Sequence, residues 1–188
     1  MKSSSLLFLS LFFPLPAAGA QTPIRFRDPV FSRVNVAKAV PYGAAVNRYT
    51  RKMETLLMDI YTPKGDTLAK RPAVVIVHGG GWVSGSRASF QFVRMAKDFA
   101  LRGYVAASID YRMAPSKLVR KLPESAEDSQ EDTKAAVRFL RRYASRYGVD
   151  PGRIAAAGGS AGGFAVVMAS YYKEEGKSGN PGWSSKIQ

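Results

Sequence analysis

The chain has 188 residues, 46% hydrophobic and 22% charged, enough for one globular domain with a real core. It has no cysteine, which excludes disulfides and thiolate metal sites. Its 28 Lys and Arg stand against 14 Asp and Glu, a net charge of +14. These basic residues are scattered, and no aromatic–basic nucleic-acid motif accompanies them; Arg138, Arg141, Arg142 and Arg146 are expected on the solvated side of one helix.

Residues 1–20 read as a secretory leader. Lys2 supplies the positive start, Leu6 to Phe13 is an apolar run too short to span a bilayer, and Ala18-Gly19-Ala20 fits a small-residue cleavage site. The expected location is secreted or periplasmic, with cleavage after Ala20, and no other segment is a candidate membrane span. Residues 21–50 are weakly periodic and are expected as an N-terminal arm with a short strand near Val36–Tyr42. Residues 51–188 carry the alternation of a folded α/β domain.

Glu54 to Tyr61 is a strand stopped by Thr62-Pro63 and a polar turn. Ala73 to Val77 is an unbroken apolar run, the pattern of a strand buried on both faces of a parallel sheet. It ends in His78-Gly79-Gly80-Gly81-Trp82. Phe92, Met95, Ala96 and Phe99 then recur at helical spacing, and Gly103 closes that helix. Tyr104 to Ile109 is a strand ending in Asp110-Tyr111-Arg112. A loop with Pro115 and Pro123 leads to a helix over about Ser129 to Tyr147, with Ala136, Leu140, Tyr143 and Tyr147 on one face and Gly148 as its stop. Asp150-Pro151 turns the chain into a short strand, Arg153 to Ala157. Strands alternating with helices predict an α/β fold on a mostly parallel sheet.

The chemistry concentrates at Gly158-Gly159-Ser160-Ala161-Gly162-Gly163. Gly158, Ser160 and Gly162 satisfy G-x-S-x-G, between a strand and a buried helix that starts at Phe164, the context of a nucleophile elbow. The alternative is a small-residue turn packing helix on strand. A serine hydroxyl is a weak nucleophile and needs a base and a cradle for the oxyanion it creates. His78-Gly79-Gly80-Gly81 provides the cradle: consecutive glycines leave backbone N–H groups uncovered at the end of a buried strand. A phosphate loop is the rival reading. However, no G-x-G-x-x-G can be placed here, and Gly176-Lys177-Ser178 lacks the first glycine of a Walker A motif, Tyr171 standing in its place.

With both motifs in place, the chain resembles the HGGG-bearing carboxylesterases of the α/β-hydrolase superfamily. This group includes hormone-sensitive-lipase-like and feruloyl- or acetyl-ester hydrolases. Met58-Asp59-Ile60-Tyr61-Thr62-Pro63 is similar to the family's second strand. Asp110-Tyr111-Arg112-Met113-Ala114-Pro115 resembles its D-Y-R-x-A-P segment, and Asp132 to Leu140 its helix before the elbow. The resemblance implies the three-layer α/β-hydrolase fold, here its N-terminal part only, and hydrolysis of small-molecule carboxylic esters without metal or organic cofactor. Nucleic acid is not an implied partner. Ser160 is implied as nucleophile, with Gly80, Gly81 and Ala161 forming the oxyanion hole. His78 is implied to be a structural residue of the loop, alongside Gly79.

The base and acid are the gap. The family order places both after the serine. Beyond Ser160 the chain has no histidine and no aspartate, only Glu174 and Glu175 in a polar tail; His78 is the sole imidazole. For His78 to act as base, its ring would have to turn toward Ser160 while its neighbours held the oxyanion. Gly179 to Gln188 resembles the family's approach to its sixth strand. The expectation is therefore the front part of a longer hydrolase, with the elbow strand left at an exposed, apolar sheet edge and low solubility. Alternatives are an amidase or formamidase of the same fold, a truncated pseudoenzyme, or a ligand-binding fragment.

Overall fold

The computed structural model describes residues 22–115, 122–172 and 187. The leader expected over residues 1–20 and the polar tail with Glu174, Glu175 and Gly176-Lys177-Ser178 lie outside the described residues. Among those described, strands β1 (Val34–Val46), β2 (Met53–Pro63), β3 (Arg71–Val77), β4 (Val105–Ile109) and β5 (Val149–Gly158) form one sheet in the order β1-β2-β4-β3-β5. β2 pairs antiparallel with β1 and β4, whereas β3 pairs parallel with β4 and β5, so β2 alone runs against the others. The helices are α1 (Phe90–Leu101), α2 (Leu122–Arg142), α3 (Ala144–Tyr147) and α4 (Ala161–Tyr171).

The period-2 alternation of β3 separates the layers. Val74 and Ile76 join Phe92, Ala96 and Ala100 of α1 on one face. Ala73, Val75 and Val77 join Ala136, Val137 and Leu140 of α2 and Ala165 of α4 on the other. Both faces of the central strand are thus covered by helices, which is why it reads as an unbroken apolar run. β5 is the outer strand beside β3, and on α4 Phe164, Val167 and Tyr171 are exposed.

Three segments differ from the sequence-based expectation. β1 is longer than the expected short strand, because register shifts between Ala37 and Val40 and between Pro41 and Gly43 break the alternation that would have revealed it. α2 starts at Leu122, ahead of Ser129, because its early buried positions are polar: Ser125, Asp128, Ser129, Asp132 and Thr133 are all buried. Arg138, expected on the solvated side, is only 1% exposed and belongs to that same inward face, whereas Arg142 and Arg146 are exposed. Asp150-Pro151 does turn the chain, but inside β5. The Asp150 carboxylate accepts the Gly152 N–H at 2.9 Å, and pairing jumps from Arg71–Val149 to Ala73–Ile154.

Candidate active site

The parallel register of β3 and β5 sets Val77 opposite Gly158. The residues that follow, His78 to Gly81 and Gly159 to Ser160, therefore leave the sheet side by side at its carboxyl edge, where α/β sheets take ligands. Ser160 has φ 54° and ψ −125°, a conformation that L-residues avoid, and its side chain is exposed. The turn closes through the Gly162 N–H donating to the Gly159 carbonyl at 3.0 Å and the Phe164 N–H to the Ser160 carbonyl at 3.1 Å. A Cβ on Gly162 would lie 2.2 Å from the Val77 carbonyl oxygen, so α4 can begin this close to β3 only with glycine there.

The glycine loop packs directly on the elbow. A Cβ on Gly79 would lie 3.2 Å from the Ser160 Cβ. Gly80 has φ 119°, and a Cβ there would meet the Ser84 carbonyl oxygen at 2.1 Å. The N–H groups of Gly80, Gly81 and Ala161 donate to no acceptor among the described residues. A cavity of about 570 Å³ opens over Ser160, lined by Gly79, Gly80, Gly159 and, from α1, Phe92 and Met95. The structure thus brings Ser160, Gly79 and Gly80 to one cavity, while Gly81, Ala161, Gly158 and Gly162 flank it without lining it.

His78 is fully buried. Its Nδ1 is 2.7 Å from the Gly79 carbonyl oxygen, and its ring stacks on Tyr111 at 4.3 Å. The Tyr111 hydroxyl donates to the His78 carbonyl at 3.1 Å. Burial lowers the imidazole pKa from its usual value, and the contact with the Gly79 carbonyl only partly opposes this. The ring is thus held against its own loop through Nδ1 and against Tyr111 through its face, while its Nε2 is buried without a hydrogen-bond partner among the described residues.

Residues outside the two motifs hold the loop. The Arg87 guanidinium bonds Asp59 at 2.9 Å and pairs with Asp110, whose other carboxylate oxygen accepts the Arg87 N–H at 2.7 Å. Trp82, in the left-handed region at φ 61°, carries backbone strain of order 1–3 kcal/mol. Its indole N–H donates to Ser129 of α2 at 2.9 Å, and its carbonyl accepts the Ala114 N–H at 2.8 Å. Asp110 and Tyr111 belong to the D-Y-R-x-A-P-like segment already visible in the sequence, and Trp82 is visible there only as the residue that follows the glycines. Ser129 and Arg87 carried no local signal. Among the described residues no three His, Cys, Asp or Glu side chains cluster as metal ligands.

Residues 58–184, more than half of the chain, match the BD-FAE family model. Esterase LipC of Mycobacterium tuberculosis is 34% identical over 113 residues, which cover 60% of this chain and 26% of that protein. Carboxylesterase NlhH of the same organism is 39% identical over 106 residues, covering 56% of this chain and 31% of that protein. Among solved structures, the apo form of Thermogutta terrifontis esterase 2 superposes with a TM-score of 0.61 at 32% identity, covering 80% of this chain and 52% of that one. The same esterase has been solved phosphorylated by paraoxon. The chain spans roughly a quarter to a third of the length of these curated relatives and about half of the solved esterase.

Proposed function

The chain belongs to the BD-FAE family and has the α/β-hydrolase fold, and from that premise we propose that it carries the nucleophile and oxyanion half of a serine carboxylesterase site. The observation that carries this reading is the pairing of Ser160, in its strained, exposed conformation, with the Gly79–Gly80 backbone across one cavity.

In the reaction, the Ser160 Oγ attacks the carbonyl carbon of a small-molecule ester. Its proton passes to a base, and the carbonyl electron pair moves to the oxygen, which is held by the N–H groups of Gly80, Gly81 and Ala161. Collapse of this adduct breaks the bond to the alcohol, which leaves as it takes up the proton. Water then releases the acid from Ser160 by the same route. No proton acceptor is assigned among the described residues: the His78 ring is buried, with Nδ1 on the Gly79 carbonyl and one face on Tyr111. Substrate meets the site outside the cell or in the periplasm, where the residues 1–20 leader would direct the chain.

The test uses paraoxon, which modifies the T. terrifontis relative. Incubated with paraoxon and free imidazole as proton acceptor, the chain is expected to gain one diethyl phosphate on the peptide containing Ser160. The Ser160→Ala variant is expected to gain none, and aryl acetate turnover without added base should stay near background. An adduct that survives Ser160→Ala would make the assignment wrong. An aryl anilide run beside the ester separates the amidase alternative.

A further inference from the structure

We infer that Ser129, on α2 and outside both motifs, is a positioning residue for the oxyanion loop, acting through Trp82. This rests on the reading of Ser160 as nucleophile and of Gly80, Gly81 and Ala161 as its oxyanion donors.

Trp82 directly follows the glycines, and its left-handed φ of 61° follows those of Gly80 and Gly81. A bulky residue holds such a conformation only where its surroundings over-determine it. Here three contacts do so. The indole N–H donates to the Ser129 Oγ at 2.9 Å. The Trp82 carbonyl accepts the Ala114 N–H at 2.8 Å. The indole ring lies against Phe164 of α4 at 6.1 Å.

The last contact gives the clamp its reach. α4 starts at Ala161, the donor on the elbow side, and Phe164 sits one turn further along it. Trp82 is therefore a strut between the loop that carries Gly80 and Gly81 and the helix that carries Ala161, and it sets the separation of the donors. Ser129 fixes the rotation of that strut. It is fully buried, and its hydroxyl donates to the Ala126 carbonyl at 2.9 Å, which leaves its lone pairs for the indole N–H. Its own carbonyl accepts the Thr133 hydroxyl at 2.7 Å, so the anchor is part of the rigid body of α2.

The experiment follows phosphonylation of Ser160 by a p-nitrophenyl alkylphosphonate, with free imidazole as base and p-nitrophenolate release as the signal. Ser129→Ala and Trp82→Phe are each expected to lower the saturating labelling rate by about tenfold, the scale expected when donors are displaced by a fraction of an ångström. The probe concentration giving half-maximal rate and the number of labelled sites per folded chain should not change. Because both variants break one hydrogen bond, Ser129→Ala made in the Trp82→Phe background should lose nothing further. Trp82→Phe keeps an aromatic ring against Phe164, so the measurement survives if Ser129→Ala folds poorly. Wild-type rates in either variant, losses that multiply, or a loss confined to the count of labelled sites would overturn the inference. A wild-type chain that is not labelled at Ser160 would overturn the reading beneath it, a different outcome from Ser160 labelling that ignores Ser129.

Discussion

Ser160 and Trp82 are two of the few non-glycine residues with positive φ among those described, and both lie at the site. Strain of this kind persists where neighbours leave no alternative, and at the elbow the neighbour is the end of β3. Adjacent glycines give a sharp test. Gly162→Ala would press a Cβ to 2.2 Å from the Val77 carbonyl oxygen and 2.6 Å from that of His78, both backbone atoms that cannot step aside. It should lower the unfolding free energy by about 1–3 kcal/mol, the cost of overpacking. At Gly163 the added Cβ meets its nearest atom, the Gly158 carbonyl oxygen, at 3.4 Å, and the position is helical. Gly163→Ala should be neutral or stabilise by up to about 1 kcal/mol through helix propensity. Urea melts of the two variants compare them directly, and equal effects would contradict this packing.

At the scale of elements, α2 is a polar helix packed inward. Asp132 is fully buried and accepts the Arg112 N–H at 2.8 Å and the Arg112 guanidinium at 2.9–3.1 Å, which ties the segment after β4 to the helix. Asp128 and Glu131 also pair with Arg112, and Arg48 reaches Asp128 from beyond β1. Breaking a buried pair leaves an uncompensated charge, typically at a cost of about 3–5 kcal/mol. Asp132→Ala should fall at the low end, about 3 kcal/mol, because the other two carboxylates stay near the guanidinium. A change below about 1 kcal/mol in the denaturant midpoint analysis would show that they compensate fully. Apolar spacing could not reveal the first turns of this helix, since hydrogen bonds and ion pairs cover its inner face, and hydrophobic periodicity reports only the burial of carbon.

For the whole molecule, the single histidine makes global stability between pH 7 and 6 a report on one site. Burial lowers the His78 pKa in the folded chain, whereas in the unfolded chain it titrates near its usual value of about 6.5. As pH falls through that value the unfolded state takes up the proton more readily than the folded state does. Stability should therefore decline on acidification, with a slope that cannot exceed about 1.4 kcal/mol per pH unit for one proton. Glu54, raised by burial, acts with the opposite sign at lower pH, so the window above 6 is the cleaner one. Thermal or urea unfolding at closely spaced pH values measures it. Stability that is flat or rises from pH 7 to 6 would mean that His78 is solvated in the native state.

The residues by themselves determined the layers and the place of the candidate nucleophile. An unbroken apolar run such as Ala73 to Val77 has to be buried on both faces, and a serine between Gly158 and Gly162 has to sit where no neighbouring side chain fits. They also determined that His78 is the only imidazole available. What they left open, the tertiary structure decided. β1 extends to Val34–Val46 because β2 supplies partners across two bulges that hide its alternation. Arg138 is inside because the buried face of α2 is polar. His78 is buried with its Nδ1 on the Gly79 carbonyl because Tyr111, more than thirty positions away, stacks on its ring. Ser129 meets Trp82 only because α2 crosses the carboxyl edge of the sheet, and a hydrogen bond between residues 47 positions apart leaves no periodicity in the chain for either partner to announce.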